Sequence, residues 1–303
     1  MSSRRRFLQQ AALLAALTQL PHAALWAQAR LQQRAIPSSG ELLPVIGLGT
    51  SRTHDVPLEE AALQPLLEVL QNLVNGGGRL IDTAPSYGNA ERVCGRLVEQ
   101  LAVRDRVFLA TKVSASGEQA GRRQLEASFQ ALRTPRIDLV QVHNLQDTHA
   151  QLKLLRGEKE RGRVRYIGIT HYREAAQRDL LEVLSREAGI DFVQINYSVG
   201  EREAEKHLLP WCRDNGIAVL INRPFARGQL LARVRNKPLP DWAMEVDATS
   251  WAQLLLKFIL AQPAVTAVIP ATSNPRYMTD NLLAGQGRLP DAKMCGRIAA
   301  AFA

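Results

Sequence analysis

The chain has 303 residues, of which 46% are hydrophobic, 22% charged and 5% aromatic, with 20 Gly and 15 Pro. That composition excludes collagen, a disordered chain and a disulfide scaffold, and leaves a globular protein of enzyme size. The cysteines Cys94, Cys212 and Cys295 show neither CxxC nor His-rich spacing, so no metal site is expected.

Residues 1–29 come first in chain order and read as a leader. A basic cluster (Arg4, Arg5, Arg6) precedes the small apolar run AALLAALTQL and the small-x-small ending Ala27-Gln28-Ala29, with no acidic residue throughout. The apolar run is about half the roughly 20 residues of a membrane helix, so no permanent membrane span is expected. Ser3-Arg4-Arg5-Arg6-Phe7-Leu8-Gln9 resembles the bacterial twin-arginine (Tat) export signal. That resemblance implies a cleaved signal peptide over 1–29, passage through the Tat translocation machinery and a periplasmic destination, or a cytoplasmic one if the leader is inefficient. Cleavage removes three arginines from a chain whose net charge is +9, and the remaining balance calls for no nucleic-acid partner.

From residue 30 onward, short apolar runs alternate with helix-like stretches. The runs are VIGLG from Val45, RLIDT from Arg79, RVFLATK from Arg106, IDLVQVH from Ile137, RYIGIT from Arg165, DFVQIN from Asp191, IAVLIN from Ile217 and VTAVIP from Val265. Between them, apolar residues at three- and four-residue steps predict helices over 63–73, 91–101, 122–132, 150–161, 174–185, 203–215 and 250–261. Strands apolar on both faces belong to a parallel sheet. The GxGxxG fingerprint of an open dinucleotide-binding sheet is missing after the first strand. The pattern therefore predicts an α/β fold, a (β/α)8 TIM barrel forming one domain over 30–303. The connection from Arg223 to about Thr249 has no clear strand character and is expected to cover the site.

In a parallel barrel, chemistry gathers where the strands end. The predicted strands close on Asp82, Lys112, His143, Thr170-His171, Gln194 with Asn196, and Asn222, and Tyr87 follows Asp82 in the turn-rich loop DTAPSYGNAE. Singly, each has a bland reading: a cap, a solvated strand end, a packing histidine or a loop aromatic. Together they suit proton transfer to a carbonyl. A phenol is a proton donor at neutral pH, an adjacent ammonium stabilises the phenolate left behind, a carboxylate holds that ammonium, and an imidazole hydrogen-bonds the substrate oxygen.

In these residues the chain resembles the aldo/keto reductases, from Gly47-Leu48-Gly49-Thr50 to Asn281. The family's tetrad falls on Asp82 and Tyr87 in IDTAPSYG, Lys112 in LATK and His143 in LVQVHN. The resemblance implies an oxidoreductase of the alcohol dehydrogenase type that reduces small carbonyl compounds with a nicotinamide cofactor, Tyr87 acting as acid. It assigns Thr170, His171 and Gln194 to the carboxamide. At the position of the family's ring-stacking aromatic this chain has the run Asn222, Arg223, Pro224 and Phe225. Thr272, Ser273, Asn274, Arg276 and Asn281 fall to the adenosine end, in IPATSNPRYMTDN. Arg276 is the one cation left there for a 2′-phosphate, so NADP(H) is favoured over NAD(H).

Two other readings stand beside this one. A Schiff-base lysine at Lys112 requires a neutral amine, which Asp82 opposes. A cofactor-binding sensor or partner subunit of the same fold is suggested by the missing stacking aromatic. Arg52, His54, Asn144, Trp211, Arg227 and Trp242 are the loop residues offered to a substrate pocket.

Overall fold

The computed structural model describes residues 30–302, and the expected leader lies outside them. Eight parallel strands form one sheet with neighbours in chain order: β3 (Leu48–Gly49), β4 (Leu80–Asp82), β5 (Phe108–Val113), β6 (Ile137–His143), β7 (Val164–His171), β8 (Phe192–Asn196), β9 (Ala218–Asn222) and β10 (Val265–Val268). Bridges from Ile46 to Val268 and from Gly49 to Ala271 join the last strand to the first and close the sheet. Each of the eight apolar runs coincides with one of these strands to within a residue or two at the ends, because a strand covered on both faces largely excludes polar side chains.

Helices follow the strands: α1 (Glu60–Asn75), α2 (Ala90–Gln100), α3 (Glu118–Ala131), α4 (Thr148–Glu160), α5 (Gln177–Arg186), α6 (Leu208–Asp214), α7 (Gln229–Val234), α8 (Trp251–Leu260), α9 (Pro275–Ala284) and α10 (Ala292–Ala300). The apolar stripe of α1 buries Leu63, Leu66, Val69, Leu70 and Leu73, and the helix stops at Gly76. Ser250 caps α8 by accepting the Gln253 amide at 3.1 Å, and Asn274 caps α9 by accepting that of Arg276 at 3.0 Å.

Two features depart from the sequence expectation and one agrees with it. A two-stranded antiparallel hairpin, β1 (Gln33–Ala35) and β2 (Leu42–Pro44), precedes the barrel. The connection after Arg223 has no strand, as expected; it holds α7 and 3-10 segments at Ala226–Gly228 and Asp241–Val246. The C-terminal stretch folds as α10, capped by Asp291, whose side chain accepts the Met294 amide.

The hairpin seals the N-terminal end of the strands. Its Ile36 and Leu43 are buried in one cluster with Leu80, Phe108, Leu139, Tyr166 and Phe192, from the N-terminal ends of β4 to β8, each within the first three positions of its strand. Phe108 stacks on Tyr166 at 5.8 Å, and Tyr166 meets Phe192 edge-on at 5.5 Å. A layer of large side chains therefore fills this end, and the opposite end is left for a site. Among the described residues no helix is long and apolar enough to cross a membrane.

Candidate active site

Register brings the polar strand ends together. Asp82 pairs with Ala110, Lys112 with Gln141, His143 with Thr170, Thr170 with Gln194, and Asn196 with Asn222. Parallel strands in step deliver all of these residues to one mouth, which holds a cavity of about 410 Å³. Asp82, Tyr87, His143, Thr170, Gln194 and Asn222 line it.

Lys112 and Asp82 form a buried ion pair at 2.7 Å, with 1% and 3% of their surfaces exposed. The Lys112 ammonium also donates to the Thr83 carbonyl at 2.8 Å. Burial alone disfavours the charge on Lys112, but Asp82 and Tyr87 outweigh it and hold the ammonium above the usual lysine range. A neutral Schiff-base lysine is therefore opposed by its own surroundings. The second oxygen of Asp82 accepts from Gln194 Nε2 at 2.8 Å and Gln141 Nε2 at 3.4 Å.

Tyr87 arrives on the loop after β4. Its amide donates to the Ala84 carbonyl at 3.0 Å, and Asp55 accepts the Asn89 amide at 2.9 Å. Gly88 between them has φ 62, and a Cβ there would lie 2.1 Å from the Asp55 carboxylate, so only glycine fits this turn. The Lys112 ammonium stands 5.1 Å from the centre of the Tyr87 ring. His143, closing β6, meets that ring edge-on at 6.1 Å and reaches Ser86 Oγ at 3.5 Å through Nδ1. Burial, aided by Lys112 and His171, pulls the His143 pKa down to about 4, so its imidazole is neutral at pH 7.

The other sequence-derived residues divide. Arg223, Pro224 and Phe225 line the cavity with Asn222, and so do Arg52, Asn144 and Arg227. Thr170 bonds Gln194 (2.9 Å to its carbonyl, 3.3 Å to its side chain), so the Gln194 side chain braces Asp82 and Thr170 while still lining the cavity. His171 is outside the cavity wall: its Nδ1 accepts the Arg173 amide at 3.1 Å and its ring stacks on Tyr172. Thr272, Ser273, Asn274 and Arg276 gather at the N-terminal end of α9, Asn281 is buried in its second half, and none of the five lines the cavity. Of the remaining substrate candidates, His54 is 1% exposed and bonded to Thr53, Trp211 packs against the core from α6, and Trp242 lies under Arg297.

Two residues escaped the sequence reading. Gln141 is a lone amide in an otherwise apolar run, which was its signal; its Oε1 is buried without a partner. Tyr172 lines the cavity and carries the Arg223 guanidinium 4.1 Å above its ring, and nothing in its sequence context marks it. The side-chain carbonyl of Asn222 is likewise buried and unpartnered, an acceptor ready for an amide donor such as a carboxamide.

A family model for the "Aldo/keto reductase family" matches residues 45–300. The methylglyoxal reductase YeaE of Escherichia coli is 30% identical over 87% of this chain and 93% of its own length, and an NADH-specific methylglyoxal reductase of the same organism is 26% identical over 82% and 91%. A crystal structure of an aldo/keto reductase from Klebsiella pneumoniae in complex with NADP and acetate superposes with a TM-score of 0.74 at 25% identity, covering 87% of this chain and 93% of that one. The chain belongs to the aldo/keto reductase family.

Proposed function

We propose that the protein is an NAD(P)H-dependent reductase of aldehydes or ketones, with Tyr87 as general acid and Lys112, Asp82 and His143 in support. When bound, the reduced nicotinamide supplies a hydride to the carbonyl carbon. Tyr87 gives its phenolic proton to the carbonyl oxygen, and the product is the alcohol. Lys112, fixed by Asp82 and Thr83, stabilises the phenolate that remains. His143, neutral at pH 7, can donate an N–H bond to the same oxygen without adding a second positive charge beside Lys112. Gln194 and Gln141 keep Asp82 aimed at the ammonium.

The observation behind this reading is the buried Lys112–Asp82 pair beneath Tyr87 in a cavity shared with His143. The residues present fit the cofactor: Asn222 offers a free acceptor inside the cavity, and the turn of Thr272, Ser273 and Asn274 opens α9, with Arg276 the cation nearby. NADPH is the proposed donor, since a guanidinium at that helix end suits a 2′-phosphate. Among similar proteins, an NADP complex supports this choice and an NADH-specific relative opposes it. Similarity to a methylglyoxal reductase supports small, reactive carbonyl substrates.

Purified protein should oxidise NADPH in the presence of 4-nitrobenzaldehyde, and Tyr87→Phe should lower kcat by about 10²–10⁴ while fluorescence titration finds unchanged NADPH affinity and weaker NADH binding. Wild-type protein that binds cofactor without turnover assigns the chain to a sensor or partner subunit instead.

For location, we propose a twin-arginine leader over residues 1–29 that carries the folded protein, loaded with cofactor, to the periplasm. Its support is the run Ser3-Arg4-Arg5-Arg6-Phe7-Leu8. Arg4→Lys with Arg5→Lys should retain the protein in the cytoplasm of the producing bacterium; undiminished export in fractionation removes the assignment.

A further inference from the structure

Helix α2 begins shortly after Tyr87, and its first turn carries an acid placed unlike those of other helices. The first-turn acids of α1, α3 and α5, which are Glu60, Glu118 and Asp179, are exposed. There a helix dipole favours a carboxylate that keeps its hydration. Glu91, in the first turn of α2, is only 6% exposed, and its Oε1 accepts from Thr111 Oγ1 of β5 at 2.6 Å. Burial pushes its carboxyl above the usual carboxylate range, against the pull of the neighbouring Thr111 and Ser128 hydroxyls and of the Lys112 ammonium. Taking a carboxylate out of water to meet a hydroxyl is a cost that the helix end does not require.

Both partners of this bond adjoin the site. Thr111 precedes Lys112 on β5, and consecutive strand residues face opposite ways, so Lys112 meets Asp82 inside the barrel while Thr111 meets α2 outside it. On the helix side, the Tyr87 carbonyl accepts the Ala90 amide at 3.2 Å, which ties the start of α2 to Tyr87. A continuous path results. It runs from Tyr87 through Ala90 to Glu91, across the hydrogen bond to Thr111, and along one peptide bond to Lys112, whose ammonium stands 5.1 Å from the Tyr87 ring centre. The contacts of Lys112 to Asp82 and Thr83 fix the ammonium but not the phenol. The Asp55 carboxylate, which holds the Asn89 amide at 2.9 Å, comes from the loop after β3 and not from the strand of Lys112.

We propose that Glu91 is a positioning residue: its hydrogen bond with Thr111 sets the separation of the Tyr87 phenol and the Lys112 ammonium, and it does so as an acceptor in the right place rather than as a charge. The proposal rests on the reductase reading above and adds no step to the reaction, since Glu91 does not line the cavity.

Kinetics with NADPH and 4-nitrobenzaldehyde test it from both ends of the bond, with kcat expressed per NADPH-binding site found by fluorescence titration. Thr111→Val removes the donor and Glu91→Ala the acceptor. Each should lower kcat by about tenfold or more, as small misplacements of reacting groups do, while KM and NADPH affinity stay within about twofold. The double variant should lose no more than either single one. Glu91→Gln should remain well above Thr111→Val, because an amide oxygen still accepts from the hydroxyl. In the Tyr87→Phe background, Thr111→Val should cost less than about twofold, since no phenol is left to place. A general loosening of the fold would cost the same in both backgrounds.

Thr111→Val with wild-type kcat overturns the proposal, and so does an equal loss with and without the Tyr87 hydroxyl. Glu91→Gln as slow as Thr111→Val also overturns it, because charge rather than placement is then what Glu91 supplies. Should Glu91→Ala fail to fold, Thr111→Val and Glu91→Gln decide the matter without it. All three outcomes leave the reductase reading intact as long as Tyr87→Phe itself is slow. Wild-type protein without turnover, or Tyr87→Phe as fast as wild type, removes that reading and this one with it.

Discussion

At the N-terminal ends of the strands, Phe108, Tyr166 and Phe192 pack ring to ring over Ile36 and Leu43. Charges at that end are matched: Asp138 accepts from Arg104 and Arg165, and Tyr166 Oη donates to Glu41 at 2.8 Å. At the C-terminal ends three arginines line a cavity without carboxylate partners, Asn222 keeps a buried carbonyl unpaired, and five residues of the wall (Arg52, Asn144, Arg223, Arg227 and the glycine Gly228) have positive φ. The same eight strands support both ends, so the difference comes from what each end must do. One end maximises contact and leaves nothing unsatisfied; the other keeps donors, acceptors and charge available for a ligand, at a cost in stability.

The largest effect that separates the two ends is expected at the packed one. Phe108→Ala removes a ring touching two others, and about 3–5 kcal/mol of stability should be lost in chemical denaturation, while kcat of the protein that remains folded stays close to wild type. A drop in kcat comparable with that of Tyr87→Phe would show that the ends are coupled and that the division is wrong.

Acid should act mainly from the other end. His143 and His54, the latter in the loop after β3, are both held near pKa 4 chiefly by burial, against an ordinary value of 6.5. Between those values the unfolded chain binds more protons than the folded one, so the stability due to the neutral imidazoles is complete above pH 6.5 and declines as pH falls toward 4. Denaturant midpoints measured across this window should decrease with acid, and His54→Gln with His143→Gln should flatten the slope. A slope unchanged in the double variant transfers the acid sensitivity to carboxylates such as those of the matched pairs at the packed end.

Legibility from sequence follows the same division. The eight barrel strands were readable because burial on both faces leaves apolar runs, and the tetrad was readable because Asp82, Lys112 and His143 interrupt those runs at their ends. The β1–β2 hairpin was not: each strand has three residues, Gln33-Arg34-Ala35 and Leu42-Leu43-Pro44, too short for any period to appear. Helix α10 was missed for a related reason, its buried face amounting to Met294 and Ile298. Within the site, residue types were legible but partners were not. Gln194 was assigned to a ligand, and its amide also bonds Asp82 from four strands away in the sheet, while Tyr172 enters the wall one residue after β7 ends. Such contacts depend on register between distant segments, which no local window contains.

The smallest expected effect bears most directly on why the mouth is strained. Arg52 is exposed, unpaired among the described residues and at φ 66, so its side chain adds little to the packed core while its backbone occupies a region costing an L-residue about 1–2 kcal/mol. Glycine adopts that region freely but loses more chain entropy on folding, by about 0.5–1 kcal/mol. Arg52→Gly should therefore raise stability slightly, by about 0.5–1 kcal/mol in denaturant titration. Because Arg52 lines the cavity proposed for the anionic cofactor, the same variant should weaken NADPH binding in fluorescence titration. Stability and affinity moving in opposite directions at one residue would mean that the strain is kept for the ligand; a variant that loses both would mean that Arg52 belongs to the scaffold, and the contrast between the two ends would have to be redrawn without it.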